Sequence, residues 1–420
     1  MKIIFFIFFI LLYKAFYLTP WGVVEGTFNV RDISLFLLAI SLLFSYFGKT
    51  RVSNSKKDGF SLLIIVYMFI VLISIVLATI NYNQSIINGV VAARSQYFYL
   101  VYFVFIALIK RNEDIYKILN ALLYIAMVVF FLTLVNYFVT PVFYHEKAEG
   151  WGAVRSGIER AFVPGTPLIS FAAVWASVRW VTKEKSKSDY SGIMAVFLIG
   201  AHFFQQSRGG IISLMAVLCL LFWLTQNYRK LVAMLAMGFL GVLLSGFFME
   251  ENILLAPFTT TVEDVSEQSG TVGARMSQVE TDLYEFKQHP IIGSGLIAVR
   301  TATYGSTTYQ REVMAAKARV ADLGYMHWIK IYGIVGIIWL LFLYWAIKRT
   351  IGKAFKIKDK EAKVLVLFCT GYMLFIVISS ITLNHFLIDE RIVLFCLILA
   401  ILRLVTLKKV AQEKTNKEMN

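Results

Sequence analysis

"MAVFLIGAHFFQQSRGGIISLMAVLCLLFW" (194–223) sets two apolar segments on either side of a short polar break, QQSRGG (205–210). An arginine at the middle of a bilayer costs about 2.5 kcal/mol or more. Arg208 therefore belongs at the tip of a hairpin whose two arms cross a membrane, not inside one long helix. The composition agrees with that reading. Hydrophobic residues make up 58% of the chain and charged residues 16%, against roughly 25% charged in soluble domains. The chain reads as an all-α polytopic membrane protein. Its net charge of +15 does not point to nucleic acid, because basic residues of membrane proteins gather in cytoplasmic connections. Cys219, Cys369 and Cys396 lie in apolar segments and read as small buried side chains, not as a disulfide framework or a metal site.

A helix needs about 20 apolar residues to cross, and windows of that size give about twelve spans. They fall at 3–19, 32–48, 60–80, 95–110, 116–139, 162–181, 190–205, 209–226, 231–248, 326–347, 363–383 and 391–407. The first of them, "IIFFIFFILLY", superficially resembles a signal peptide. No small-residue cleavage site follows it, so it is read as a span. The basic stretches "KTRVSNSKK" (49–57), "KRNEDIYK" (110–117), "TKEKSKSD" (182–189), "NYRK" (227–230) and "KRTIGKAFKIKDKEAK" (348–363) fall on alternate connections, as does the C-terminal tail. By the positive-inside rule that side is the cytoplasm, and both termini lie there. The outward connections are then 81–94, 141–160, the Arg208 hairpin, 249–325 and 384–390. The organisation expected is N-terminal transmembrane helices (1–248), a long outward loop (249–325), C-terminal transmembrane helices (326–407) and a cytoplasmic tail (408–420).

Within the long loop, "TVGARMSQVETDLYEFKQHP" (271–290) repeats apolar residues at Met276, Val279, Leu283 and Phe286, which predicts an amphipathic helix stopped by Pro290. "IIGSGL" (291–296) follows, and its glycines suit a sharp turn. Such a short motif is more often only a turn; an anion-binding nest of exposed amides is the alternative. A second, polar helix is expected from Thr308 to Asp322. "GYMHW" then sets His327 at the mouth of the next span.

The outward side carries Arg94, Arg155, Arg160, Arg208, Arg275, Arg300, Arg311, Lys317, Arg319 and His327. The positive-inside rule works against arginine there, and arginine suits two-pronged contact with phosphate. Several together with a histidine suggest a site for an anionic lipid headgroup such as a diphosphate. Most such loop arginines snorkel or pair with a nearby acid. Arg208, in a very short hairpin, is the hardest to explain that way. His145, His202, His289 and His385 read as satisfied histidines without metal partners.

The hairpin "QQSRGGIISLMAVLCLLF" resembles the "SRG" hairpin of the bacterial O-antigen ligase and O-antigen polymerase superfamily. Three further features match in order over roughly residues 195–345. A long outward loop follows the next span. In it an arginine opens a helix that ends at Pro and Gly-x-Gly ("ARMSQVETDLYEFKQHPIIGSGL"). A histidine then precedes a span with a glycine-bearing start ("MHWIKIYGIVGIIWLL"). The family usually has Asn after that histidine, where this chain has Trp328. The resemblance implies a membrane glycosyltransferase of the GT-C type in the bacterial inner membrane, with its active site at the periplasmic face. The donor it implies is a glycan on undecaprenyl diphosphate. The acceptor would be another lipid-linked glycan in a polymerase, the reading we favour, or the lipid A core in a ligase. A polysaccharide transporter or flippase is a more remote alternative, since Asp32, Asp189, Asp389 and Glu390 sit at span ends and none at mid-span. The resemblance implies no cofactor, no metal and no nucleotide sugar, and a chain-length regulator protein is a candidate partner.

Residue by residue, the family's essential arginines fall on Arg208 and Arg275 and its histidine on His327. Arg94 and Arg311 are further candidate diphosphate contacts. Breaking a sugar–phosphate bond loads charge onto the diphosphate, and two fixed arginines could stabilise it. His327 could accept the acceptor's proton or bind the diphosphate as a cation. Glu280, Asp282, Glu285 and Asp322 are lesser candidates for a base.

Overall fold

The computed structural model describes residues 12, 30–47, 59–139, 154–155, 158–159, 165–182, 190–204, 207–230, 232–233, 236, 270–298, 323–357 and 359–419. Helix α1 (Val30–Phe47) is followed by α2 (Gly59–Tyr82), α3 (Ile86–Ala92), a 3-10 segment (Ala93–Leu100), α4 (Val101–Leu108) and α5 (Asn112–Phe138). A two-residue antiparallel ladder pairs Val154–Arg155 with Ile158–Glu159. Then come α6 (Thr166–Thr182), α7 (Ser191–Phe204), α8 (Arg208–Thr225), α9 (Gly270–Gln288), α10 (Gly324–Ala354), α11 (Lys360–Ser379) and α12 (Asp389–Met419). The spans expected at 3–19 and 231–248 lie, but for a few residues, outside the described ones, as does the polar helix expected at 308–322.

Among the described residues, 6 helical stretches are long and apolar enough to cross a membrane: Gly59–Tyr82, Ile86–Leu108, Asn112–Asn136, Arg208–Thr225, Gly324–Ala354 and Lys360–Ser379. Their outer faces expose Leu62, Phe69, Leu72, Phe131, Trp223, Leu341 and Phe342. A soluble fold seldom leaves such a continuous apolar surface, whereas lipid accepts it. Among the described residues the architecture is helical apart from that two-residue ladder, and it is that of a polytopic membrane protein. Its core gathers around two helices that are apolar all round. Every residue of α12 from Ile392 to Leu402 is buried, and so is every residue of α6 from Leu168 to Val178.

One boundary differs from the sequence reading. Residues 81–94 were expected to form an outward connection, but α3 begins at Ile86 and runs through the 3-10 segment into α4 as a single span. Ser85 caps α3 by accepting from the Asn88 amide. A Cβ at Gly89 would lie 2.7 Å from Ile75 Cγ2, so α3 packs closely on α2. The polar residues Asn88, Arg94 and Gln96 dilute the apolar signal of this stretch, yet the polar groups of Arg94 and Gln96 are turned toward protein partners. Gln96 accepts from Tyr67 at 2.6 Å, and Arg94 faces Asp32 at 3.6 Å.

Candidate functional site

The α9 helix forms where the apolar spacing predicts it, with Val279 and Phe286 half-buried, but its most buried residues are acidic. Met276 and Leu283 are exposed, while Asp282 and Glu285 are buried. Against a membrane the cost order reverses. Apolar side chains can face lipid, and it is carboxylates that need partners inside the protein. Glu285 accepts from Tyr82 Oη at 2.7 Å and ties α9 to the end of α2. Asp282 Oδ1 accepts from Lys330 Nζ at 2.9 Å and from Gln278 Nε2 at 3.0 Å. Its other oxygen, Oδ2, faces His327 Nδ1 at 3.6 Å. Three ionisable side chains thus meet almost wholly out of solvent: Asp282 is 0% exposed, Lys330 1% and His327 3%. Burial alone would raise the Asp282 carboxyl, but the adjoining His327 ring and Lys330 ammonium outweigh it and hold the group below its ordinary value.

The glycine turn after α9 is built into α10. Helix α10 breaks at Gly333, whose φ is 61°. The amides of Ile334 and Val335, past the break, bond to the carbonyls of Pro290 (2.9 Å) and Ile291 (3.1 Å). In exchange the amides of Ser294 and Gly295 bond to the carbonyls of Lys330 (2.8 Å) and Ile331 (3.1 Å). The Leu296 amide bonds to Ser74 O at 3.3 Å and the Gly293 amide to His289 O at 3.0 Å. "IIGSGL" is therefore a turn and not the anion-binding nest that was its other reading: these amides complete a broken helix and are not turned to an anion. Backbone groups this deep must find partners, and the carbonyls freed at Gly333 supply them. One result is that Lys330 is fixed at both ends, its carbonyl by Ser294 and its ammonium by Asp282.

Arg208 is half-buried in the first turn of α8. Ser207 at the N-cap makes no side-chain cap bond, so the positive end of this helix adds to the guanidinium. The turn between α11 and α12 joins this helix to the start of α10. A Cβ at Gly209 would sit 2.5 Å from Thr382 Oγ1, and the Tyr325 amide donates to Ser380 O at 3.1 Å. Arg208 and His327 thus flank one turn. Arg275 is half-buried on α9, seven residues before Asp282, so it lies on the same face roughly 10 Å along the axis. Arg94 belongs to a different cluster, with Asp32 and near the Arg31–Asp389 pair at 2.6 Å. Arg311 lies outside the described residues.

Of the other histidines, His202 bonds Ser170 at 3.1 Å and His385 bonds Ser379 at 2.7 Å. Among the described residues no group of three His, Cys, Asp or Glu side chains is placed to hold a metal ion. Sequence reasoning passed over Lys330, which reads as one more basic residue near a span end. Trp328, where the resemblance would have Asn, is buried and stacks on Tyr67 and Trp339 at centroid distances of 5.3 and 5.5 Å. It anchors the helix that carries His327.

The contact between Gly209 and Thr382 gives a direct test of the turn. Gly209→Ala is expected to cut function sharply by pushing the start of α8 off Thr382. Gly209→Ala/Thr382→Ala should recover most of it, because removing Oγ1 leaves the nearest Thr382 atom, Cβ, at an ordinary 3.7 Å. Comparing the melting temperatures and activities of the purified variants checks both halves.

Residues 193–341 match the model of a family described as O-Antigen ligase. No match was found among curated proteins. The matched stretch takes in α7, the Arg208 turn, α8, α9, the glycine turn and α10 as far as Leu341, and so contains Arg208, Arg275, Asp282, His327 and Lys330. Over this stretch, which is less than half of the chain, the protein is similar to the O-antigen ligase family.

Proposed function

We propose that the chain transfers a glycan from an undecaprenyl-diphosphate-linked donor to an acceptor hydroxyl at the periplasmic face of the bacterial inner membrane, acting as an O-antigen polymerase. The observation that supports this reading is that the helices carrying Arg208 and His327, both within the matched stretch, begin against the same α11–α12 turn. The basic connections fall on the opposite side from Arg208, which supports an outward-facing site with both termini cytoplasmic. A GT-C-like bundle of about twelve spans fits the length and hydropathy of the chain.

In the step we infer, the bond between the anomeric carbon and the diphosphate oxygen breaks, and its electron pair leaves with the diphosphate. The acceptor oxygen bonds to the anomeric carbon, and its proton passes to His327. Arg208, the first turn of α8 and Arg275 stabilise the growing charge on the leaving group. Arg311 is a further candidate contact on it, whereas Arg94 is engaged with Asp32. The protein's own cations suffice for the electrostatic role in this scheme, and no metal ion takes part in it.

Polymerase and ligase differ in the acceptor alone. Deleting the gene and separating the cell's surface polysaccharide on a gel distinguishes them. Lipid core bearing one repeat unit is the expected result and marks a lost polymerase. Bare core with long chains retained on the carrier lipid marks a lost ligase. An unchanged ladder removes both assignments.

A further inference from the structure

We propose that Asp282 is a positioning residue for His327, held in place by Lys330, so that the long loop delivers an orienting carboxylate to an imidazole on a different segment. This rests on the glycosyl-transfer reading above and extends it. Asp282 Oδ1 is already occupied twice, by Lys330 Nζ and Gln278 Nε2. Oδ2 is buried and makes no hydrogen bond; His327 Nδ1 is in the same state, and the two face each other at 3.6 Å. A shift of a few tenths of an ångström closes that gap, and such bonds often tighten only when substrate is bound. A carboxylate on Nδ1 fixes the ring's tautomer and direction and leaves Nε2 free to take a proton.

The surrounding frame is built to hold this geometry. Lys330 follows His327 by three residues on α10 and so shares its face. Ser294 grips its carbonyl through both the amide (2.8 Å) and Oγ (3.1 Å). Glu285, one turn beyond Asp282 on α9, is pinned to Tyr82. The carboxylate is therefore fixed by three segments: α9, α10 and the end of α2. The simpler rival is that Asp282 only neutralises the buried Lys330. The two accounts differ in what happens when both charges are removed.

The test uses full-length protein in nanodiscs, with the lipid-linked repeat unit extracted from the gene-deletion strain as substrate. Asp282→Asn is expected to lower kcat by at least about 10- to 100-fold, the loss seen when the carboxylate partner of a metal-bound imidazole is removed, and by up to about 10,000-fold, as in a metal-free His–Asp pair, with KM for the donor little changed. The double variant Asp282→Asn/Lys330→Met leaves neither charge behind and is expected to stay as slow as the single one. Recovery of wild-type turnover in the double variant would show that Asp282 serves only as a counter-charge, and the proposal would fall. Wild-type kcat in Asp282→Asn would overturn it too. Should the single variant fail to insert, the double variant carries the same test. His327→Ala runs alongside: if it keeps its turnover, the underlying reading fails, whereas loss in His327→Ala with none in Asp282→Asn sinks this inference alone.

Discussion

His327→Ala is expected to reach the membrane at normal abundance and to lose glycan transfer by a factor of about 100 to 10,000, the usual contribution of a positioned base. Arg208→Ala should lose about 100- to 1000-fold, as when one donor to a developing oxyanion is removed. The two should differ in how they respond to conservative replacement. Arg208→Lys keeps the charge but not the planar fork, so it should recover little. Quantifying the polysaccharide ladder against the amount of membrane-inserted protein checks all three variants. A normal ladder from either alanine variant would break the link between this site and the chemistry. His327 is buried, so a folding defect has to be separated from a chemical one. Thermal melting of the purified variants in detergent does that: His327→Ala should melt somewhat below the wild type, because it leaves a cavity beside Asp282, yet still cooperatively, so that the loss of transfer far exceeds the loss of folded protein.

Among the described residues the sequence showed well where the helices lie, because hydropathy over a span is a sum of many small terms. The Arg208 hairpin, α9 ending near Pro290 and the start of α10 near His327 all followed from local spacing and turn residues. What escaped were the pairings. Asp282 and Lys330 are 48 residues apart in sequence, on a loop helix and a membrane helix, and no periodicity connects them. The inward face of α9 was hidden for another reason. Amphipathic spacing says that a helix has two faces, but the side that is buried depends on whether the outside is water or lipid. Arg94 was read as a loop residue because Asn88, Gly89 and the arginine itself interrupt an apolar run. Only the partners across the helix boundary, Asp32 and Tyr67, show that this polar stretch is satisfied inside the protein. The partner of the "GSG" turn was hidden because a glycine turn looks the same whether its amides meet an anion or a broken helix.

That broken helix gives the other large effect. Gly333→Ala and Gly352→Ala put the same methyl group on the same helix, α10, and are expected to act in opposite directions. Gly352 has no atom near its Cβ position, so alanine there should stabilise the helix by about 0.5–1 kcal/mol through lower backbone entropy. Gly333 sits at φ 61°, and a Cβ would lie 2.5 Å from the Gly293 amide nitrogen and 2.6 Å from Ile291 O. With ψ at −152° this is backbone that essentially only glycine adopts, and it costs an L-residue about 1–3 kcal/mol. The clash adds to it by prising apart the exchange of hydrogen bonds between 290–295 and 330–335, and each buried backbone group left unpaired costs about 1–3 kcal/mol. Gly293→Ala strikes the same joint from the other side, since φ there is 80° and its Cβ would overlap the Ile331 carbonyl. Both are expected to lower stability by about 3 kcal/mol or more, read as a fall in the melting temperature of the detergent-solubilised protein. Both should also lose transfer out of proportion to the protein that survives, because the joint holds the Lys330 carbonyl and, through Lys330, the carboxylate beside His327. If Gly333→Ala melted with Gly352→Ala and kept its activity, the splice of the glycine turn into α10 would be no part of what holds the site together.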